Sequence, residues 1–217
     1  MLLRFLRYHA AKIIGAAAHG AVSPPDIKRR PGSWHHTDIA WMADLVRAVP
    51  GDFAEIGVFR GAAFTKLALA AIEQQKIAHA FDSFAGMDEP APEDGGQYPK
   101  GRFDIGGAEK FVQLMNVAGL VPSTYRVWAG YIPACFANVP PEQGFSLVVI
   151  DVDHYRPTAA SLAWACPRIN RGGILALDDF LPASSRLATK AIMEFLARDT
   201  RFEELARFNQ QLILRKT

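Results

Sequence analysis

GDFAEIGVFRGAAF, residues 51–64, runs from a short apolar strand pattern through two glycines into a helical pattern. A strand, a glycine-bearing turn and a helix start in immediate succession make the opening of a βαβ unit. Gly57 and Gly61 lack the Cβ that would hold a ligand away from the backbone, so the turn Glu55-Ile56-Gly57 can be approached closely. The spacing is not the dinucleotide pattern GxGxxG, because position 59 is phenylalanine and no phosphate-cradling glycine triplet exists. Glu55, two positions before the first glycine, suits a ligand bearing a positive charge, such as the amino group of an amino-acid moiety. A plain tight turn has the same appearance.

Downstream of the turn, Phe64, Leu67, Ala68, Ala71 and Ile72 share one face of a helix expected over Gly61 to Gln75. Four more strand-like runs follow, KIAHAFD, TYRVWAG, FSLVVIDV and GGILALDD, separated by helical patterns. This alternation predicts a parallel sheet. FSLVVIDV is apolar almost throughout, as a central strand buried on both faces must be. Beyond the fifth run a helix is expected from Ala183 to Arg198, then RFEELARF and QQLILRKT as two closing strands. Upstream, Ile39, Met42, Leu45, Val46 and Val49 predict a helix over Thr37 to Val49, with Thr37 as its cap and Pro50-Gly51 as its end.

In such a sheet ligands gather beyond the carboxyl ends of the strands, where loops converge and helix N-termini point free N–H groups. The second run ends at Asp82, 25 residues after Gly57, a spacing from which a carboxylate can accept hydrogen bonds from ribose hydroxyls. A turn-forming aspartate is the other reading. The fourth run ends Asp151-Val152-Asp153-His154 and the fifth Asp178-Asp179. If those strands are neighbours, four carboxylates crowd together and raise one another's pKa, and a hard divalent cation such as Mg²⁺ neutralises them best. Asp178-Asp179 ahead of Phe180-Leu181-Pro182 can also be read as helix caps and turn residues. Trp128, beside Gly130-Tyr131, is the tryptophan placed to neighbour a bound base.

Composition bounds the rest. With half of its 217 residues apolar and 21% charged, the chain can build one sizeable core, and a net charge of +2 provides no basic field for nucleic acid. Cys135 and Cys166 form no metal or disulfide spacing, which fits a reducing cytoplasm. Residues 1–30 divide into an amphipathic helix carrying Leu2, Leu3, Phe5, Leu6, Ile13 and Ile14, and a linker from Val22 with three prolines by Pro31. Residues 31–217 form the folded domain. The apolar stripe of the first helix suits packing against protein, so a homodimer is the expected assembly and membrane association is not. Between the second run and the next helix, Ser83 to Gly107 is too polar and too rich in proline and glycine for a regular element, and a loop of that length suits a lid or substrate wall.

Four segments carry a resemblance to one family. GDFAEIGVFRGAAF resembles G-D-x-x-E-x-G-V-x-R-G-G, FDSFAGMDEP resembles D-S-F-x-G-L-P-x-P, IDVDHY resembles D-G-D-x-Y, and RGGILALDDF resembles G-G-x-x-x-x-D-D-Y. These are the motifs of the metal-dependent small-molecule O-methyltransferases of the macrocin (mycinamicin and tylosin) type, within the class I methyltransferase fold. The match runs from about Pro31 to Ala197. It implies an α/β, Rossmann-like fold with a mostly parallel seven-stranded sheet, an antiparallel C-terminal strand and helices on both faces. It implies S-adenosylmethionine as cofactor, held by Glu55, Ile56, Gly57, Gly61, Asp82, Ser83, Gly130, Tyr131 and Asp151, with the adenine near Gly130-Tyr131-Ile132. Mg²⁺ or another divalent cation would be ligated by Asp151, Asp178 and Asp179, and Asp153 would be the base. His154 is a second candidate base, resembling the lysine position of catechol-type methyltransferases. Val152 stands where the family has glycine, Arg156-Pro157 where it has Glu-Ser, and Ala62 where it has the second glycine of the turn. The implied reaction is methylation of a hydroxyl on a small molecule or sugar. Two alternatives share the fold: a non-catalytic binding or scaffold protein, and an NAD-linked oxidoreductase, against which the absence of GxGxxG and of Tyr-x-x-x-Lys speaks.

Overall fold

The strand-like runs all become strands of one sheet. In the computed structural model, which describes residues 36–94, 98–180, 186–208 and 210–217, α1 (His36–Leu45) leads into β1 (Asp52–Ile56), α2 (Ala62–Glu73) and β2 (Ala78–Asp82). There follow α3 (Ala108–Val117), β3 (Tyr125–Ala129), β4 (Phe145–Ile150), α4 (Tyr155–Arg168), β5 (Ile169–Leu177), α5 (Arg186–Leu196), β6 (Phe202–Phe208) and β7 (Gln211–Lys216). The sheet has seven strands in the order β3-β2-β1-β4-β5-β7-β6. β1 to β5 are mutually parallel, and β7 inserts antiparallel between β5 and β6. The expected class I methyltransferase fold is therefore present. The amphipathic segment and linker assigned to residues 1–30 lie outside the described residues, as does the expected start of α5 at Ala183.

Alternation along the strands divides the core into two layers. In β4, Leu147 and Val149 face the layer that packs α1, α2 and α3, while Val148 and Ile150 face the layer that packs α4 and α5. A strand apolar on both faces is what that sandwich demands. α1 ends at Leu45, four residues before the periodicity of Val46 and Val49 suggests. The carbonyls released there are taken by α2's distal end: Gln74 Nε2 donates to the Ala43 carbonyl at 2.7 Å, and Lys76 Nζ to those of Val46 and Val49 at 3.0 and 2.8 Å. Such side-chain partners let the helix stop early without leaving its C-terminal carbonyls bare. No described helix is long and apolar enough to cross a membrane.

The strand order brings the carboxyl ends of β1, β2, β4 and β5 to one edge, with β1 and β4 side by side at the point where the order reverses. A cavity of about 800 Å³ opens there.

Candidate active site

The glycine turn forms the floor of this cavity. Gly57 has φ +86° and Gly61 φ +81°, left-handed conformations that favour glycine. Asp82 fixes the turn from the neighbouring strand. Its Oδ2 accepts the N–H groups of Val58 and Phe59 at 2.7 and 2.8 Å, and its Oδ1 accepts that of Phe84 at 2.7 Å. Asp82 lines the cavity as expected, yet it also shapes the backbone a cofactor would approach. Ser83 lines the cavity while its hydroxyl donates to the Gly86 carbonyl at 2.7 Å, closing a local turn.

Glu55 is 2% exposed, and its Oε2 has no hydrogen-bond partner among the described residues. Burial, reinforced by the charge of Asp82 and relieved in part by Lys66, pushes its pKa well above the ordinary carboxylate value. A buried acceptor in that condition calls for a cationic or hydrogen-donating ligand. Gly57, Gly130, Tyr131 and Ile132 also line the cavity. Two members of the expected cofactor set do not. Ile56 belongs wholly to the α4 and α5 layer of the core, and Gly61 packs on α3, where a Cβ would lie 2.4 Å from Met115 Cε. Each serves the turn through its backbone. Trp128 is likewise not a cavity wall: its Nε1 donates to His79 Nδ1 at 3.0 Å, and His79 Nε2 meets Asp52 Oδ2 at 3.1 Å.

The acidic strand ends converge. Carboxylate oxygens of Asp151, Asp153 and Asp179 all lie within 4.8 Å of one another. Asp178, expected among the ligands, is not one of these three, although it lines the cavity and its side chain hydrogen-bonds with Asp151; its Oδ1 accepts from Gln210 Nε2 at 3.2 Å and from the Asp179 N–H at 3.1 Å. Asp153, expected as the base, takes its place in the cluster. Asp153 and Asp179 both hold left-handed φ, 59° and 58°, and five of the seven described non-glycine residues with positive φ line this cavity, Phe59, Tyr98 and Phe103 being the others. Backbone strain concentrated in this way marks a functional site.

Burial and mutual repulsion raise all three acids next to the cavity floor. Asp151 is pushed well above the carboxylate range by burial and by Asp178, Asp179 and Asp153. Burial, with the charge and hydrogen bond of Asp179, raises Asp153 to about 7, and burial with Asp179 raises Asp178 to about 6. Oxygen donors this close, short of protons or a cation, repel one another, and a hard divalent ion fits the donor set.

The long loop closes the remaining side. Ala85 bridges to Asp104, the Met87 N–H donates to the Arg102 carbonyl at 2.7 Å, and the Gly101 N–H donates to the Met87 carbonyl at 2.9 Å. It delivers Met87, Asp88, Glu89, Asp94, Tyr98 and Phe103 to the cavity, and Phe103 stands edge-on to Phe59 at 5.3 Å. Asp94, Tyr98, Lys66 of α2 and Gln210 before β7 are site residues that sequence reasoning missed. Only Lys66 sits in a periodic element, and loop residues such as Asp94 carry no periodic signal at all.

A glycine turn after β1, an acid at the end of β2 and acidic tips at β4 and β5, on a sheet of this order, are the layout of a class I methyltransferase. Residues 39–211 match the family described as Macrocin-O-methyltransferase (TylF), and the chain belongs to that family of S-adenosylmethionine-dependent O-methyltransferases. It is 28% identical over 175 residues to mycinamicin III 3''-O-methyltransferase of Micromonospora griseorubida, a match covering 75% of this chain and 67% of the relative. The fold is similar to that of the O-methyltransferase NovP, with TM-score 0.74 and 20% identity over 84% of this chain and 79% of the other. CalS11, a calicheamicin methyltransferase, matches with TM-score 0.70 and 22% identity over 83% and 77%. An apo structure of CalS11, described as a TDP-rhamnose 3'-O-methyltransferase, matches with TM-score 0.59 and 22% identity over 82% and 79%.

Proposed function

We propose that this chain methylates a hydroxyl of a sugar or sugar-bearing small molecule, and that a divalent cation such as Mg²⁺ assists. The observation that carries the reading is the meeting of three carboxylates within 4.8 Å beside the glycine turn. Their crowding fits a cation, and their position fits an acceptor oxygen next to the methyl donor. Relatives named for mycinamicin III and for TDP-rhamnose support a glycosidic acceptor.

Glu55 and the turn through Gly57 would receive the amino-acid end of S-adenosylmethionine, and Gly130 to Ile132 its adenine end. Asp151, Asp153 and Asp179 would hold the cation, braced by Asp178 and Gln210. A cation bound there supplies Lewis acidity, which lowers the pKa of an acceptor hydroxyl. The chain's own contribution is alignment: walls from β1 and β4 fix donor and acceptor for in-line displacement. With Asp153 in the cation set, His154, buried and lining the cavity, is the group that accepts the hydroxyl proton as the oxygen bonds to the methyl carbon and the sulfur departs.

Two measurements test this. Calorimetric titration with S-adenosylhomocysteine should give saturable binding. Release of S-adenosylhomocysteine from S-adenosylmethionine, followed over a panel of rhamnosides, TDP-rhamnose and catechols, should require Mg²⁺. Full turnover in EDTA would exclude the cation, and turnover of catechols alone would exclude the glycosidic acceptor.

A further inference from the structure

The helix that follows the carboxylate turn has no cap of its own. His154 occupies the N-cap position of α4 with extended φ and ψ, and its side chain makes no capping hydrogen bond. A helix start normally draws a side-chain acceptor from within its first residues, because its leading N–H groups lack intrahelical partners. Here the acceptor arrives from 61 residues away in the sequence: Asp94 Oδ1 accepts the Tyr155 N–H at 2.9 Å. Asp94 Oδ2 accepts the Ala91 N–H at 3.0 Å and stands 3.8 Å from His154 Nδ1, an electrostatic contact longer than a hydrogen bond. The Asp94 side chain is 3% exposed and the His154 side chain 7%.

One carboxylate thus touches three things at once: its own loop through Ala91, the start of α4 through Tyr155, and the ring of His154. The turn it holds is under tension. His154 N–H reaches back to the Val152 carbonyl at 2.6 Å, and Asp153 between them has φ 59°. An aspartate in that conformation needs its neighbours to hold it. On the other side, the loop that Asp94 anchors carries Tyr98, whose ring lies 6.2 Å from that of His154.

We propose that Asp94 is the positioning residue of the acceptor half of the site: it caps α4 from the loop, and in doing so holds the Asp151–His154 turn and the loop wall in register. The inference rests on the functional reading above. The cofactor half, built on Glu55, Gly57 and Asp82, makes no contact with Asp94 among the described hydrogen bonds and should be indifferent to it.

The experiment reads three quantities in full-length protein: amide hydrogen exchange, affinity for S-adenosylhomocysteine, and affinity for Mn²⁺ as the cation probe. In Asp94→Ala, amides of 153–158 and of 98–104 should exchange about tenfold faster, the loss expected for a removed cap. Mn²⁺ binding should weaken by about fivefold or more, while S-adenosylhomocysteine binding stays within about twofold. Asp94→Asn keeps an oxygen for the Tyr155 N–H, so it should retain protection of 155–158 and lose less Mn²⁺ affinity than the alanine variant. This variant also decides the matter if the alanine variant does not fold. Wild-type exchange at 153–158 in Asp94→Ala would overturn the assignment. So would equal losses of both affinities in the two variants, since that would mean Asp94 supports the whole domain. A wild-type protein that binds neither probe would instead defeat the functional reading, and the exchange at Tyr155 would still report on Asp94.

Discussion

A Cβ built on Gly57 would lie 1.7 Å from the carbonyl oxygen of Asp151. The two residues follow paired positions of β1 and β4, and the Asp151 N–H donates to the Ile56 carbonyl at 2.8 Å just before them. The turn that would take the cofactor and the turn that carries the carboxylates are therefore pressed together, backbone against backbone, with no flexible side chain to yield.

Gly57→Ala should accordingly disturb both turns. Its φ of +86° adds strain to the clash, so a loss on the order of 3 kcal/mol or more is expected in urea unfolding. Binding of S-adenosylhomocysteine and of Mn²⁺ should fall together. Gly101→Ala is the control: φ is +78° but nothing lies within 4 Å, so only the conformational cost of about 1 kcal/mol remains. Equal stability of the two variants would show that the Gly57 contact relaxes freely.

The sheet was legible because each of its strands carries its own pattern. FSLVVIDV reads as a strand buried on both faces, and it is one; GDFAEIGV and GGILALDD end in the residues that the fold brings to one edge. Asp151 and Asp179 were legible for the same reason, since strand ends in this topology have nowhere else to go. The division of labour among the acids was not. Asp178 and Asp179 are adjacent in sequence, and which of them joins Asp151 and Asp153 in the close carboxylate group depends on a left-handed φ at Asp179 and on Gln210, which donates to Asp178 from 32 residues further on. Asp94 was hidden more completely, because a buried carboxylate in a loop of prolines and glycines shows no period. Ile56 and Gly61 were drawn into the cofactor set by their neighbours, whereas packing on Asp151's strand and on Met115 explains them.

If Asp153 and not Asp178 completes the cation set, their amide variants should separate. Asp153→Asn is expected to weaken Mn²⁺ binding at least about tenfold, the usual scale for removing a charged ligand group. Asp178→Asn should weaken it by only a few-fold, through the brace with Gln210. Asp151→Ala should abolish turnover with S-adenosylhomocysteine affinity largely kept. The reverse order for Asp153 and Asp178 in an equilibrium Mn²⁺ titration would return Asp178 to the set and Asp153 to the role of base.

Glu55 presents stability and function in opposition. Its charge is buried beside Asp82, with one oxygen lacking a hydrogen-bond partner among the described residues. Glu55→Gln removes the like-charge repulsion and most of the desolvation cost, so the ligand-free protein should melt about 2 °C or more higher. The same change removes the counter-charge for a donor's amino group, and affinity for S-adenosylhomocysteine should drop about tenfold. Unchanged affinity in calorimetry would take Glu55 out of the cofactor site.

The acid cluster also sets the pH dependence of the cation-free protein. Asp153 at about 7 and Asp178 at about 6 hold protons more tightly when folded than the unfolded chain does at its ordinary value of 3.8. Asp151 is raised in the same direction. Where the folded state binds more protons than the unfolded state, stability falls as pH rises. The loss should begin near the unfolded value, so the window opens at about pH 4 and for Asp178 and Asp153 extends to about pH 7, with Asp151 adding to the loss in the same direction. In EDTA the protein should therefore melt at least about 5 °C lower at pH 8 than at pH 5.5. Saturating Mg²⁺ replaces the protons as counter-charge and binds the deprotonated carboxylates best, so its stabilisation should be largest at the alkaline end. A melting temperature in EDTA that rises across this window, or a Mg²⁺ effect that grows toward acid, would mean that the three acids do not share the field the structure gives them.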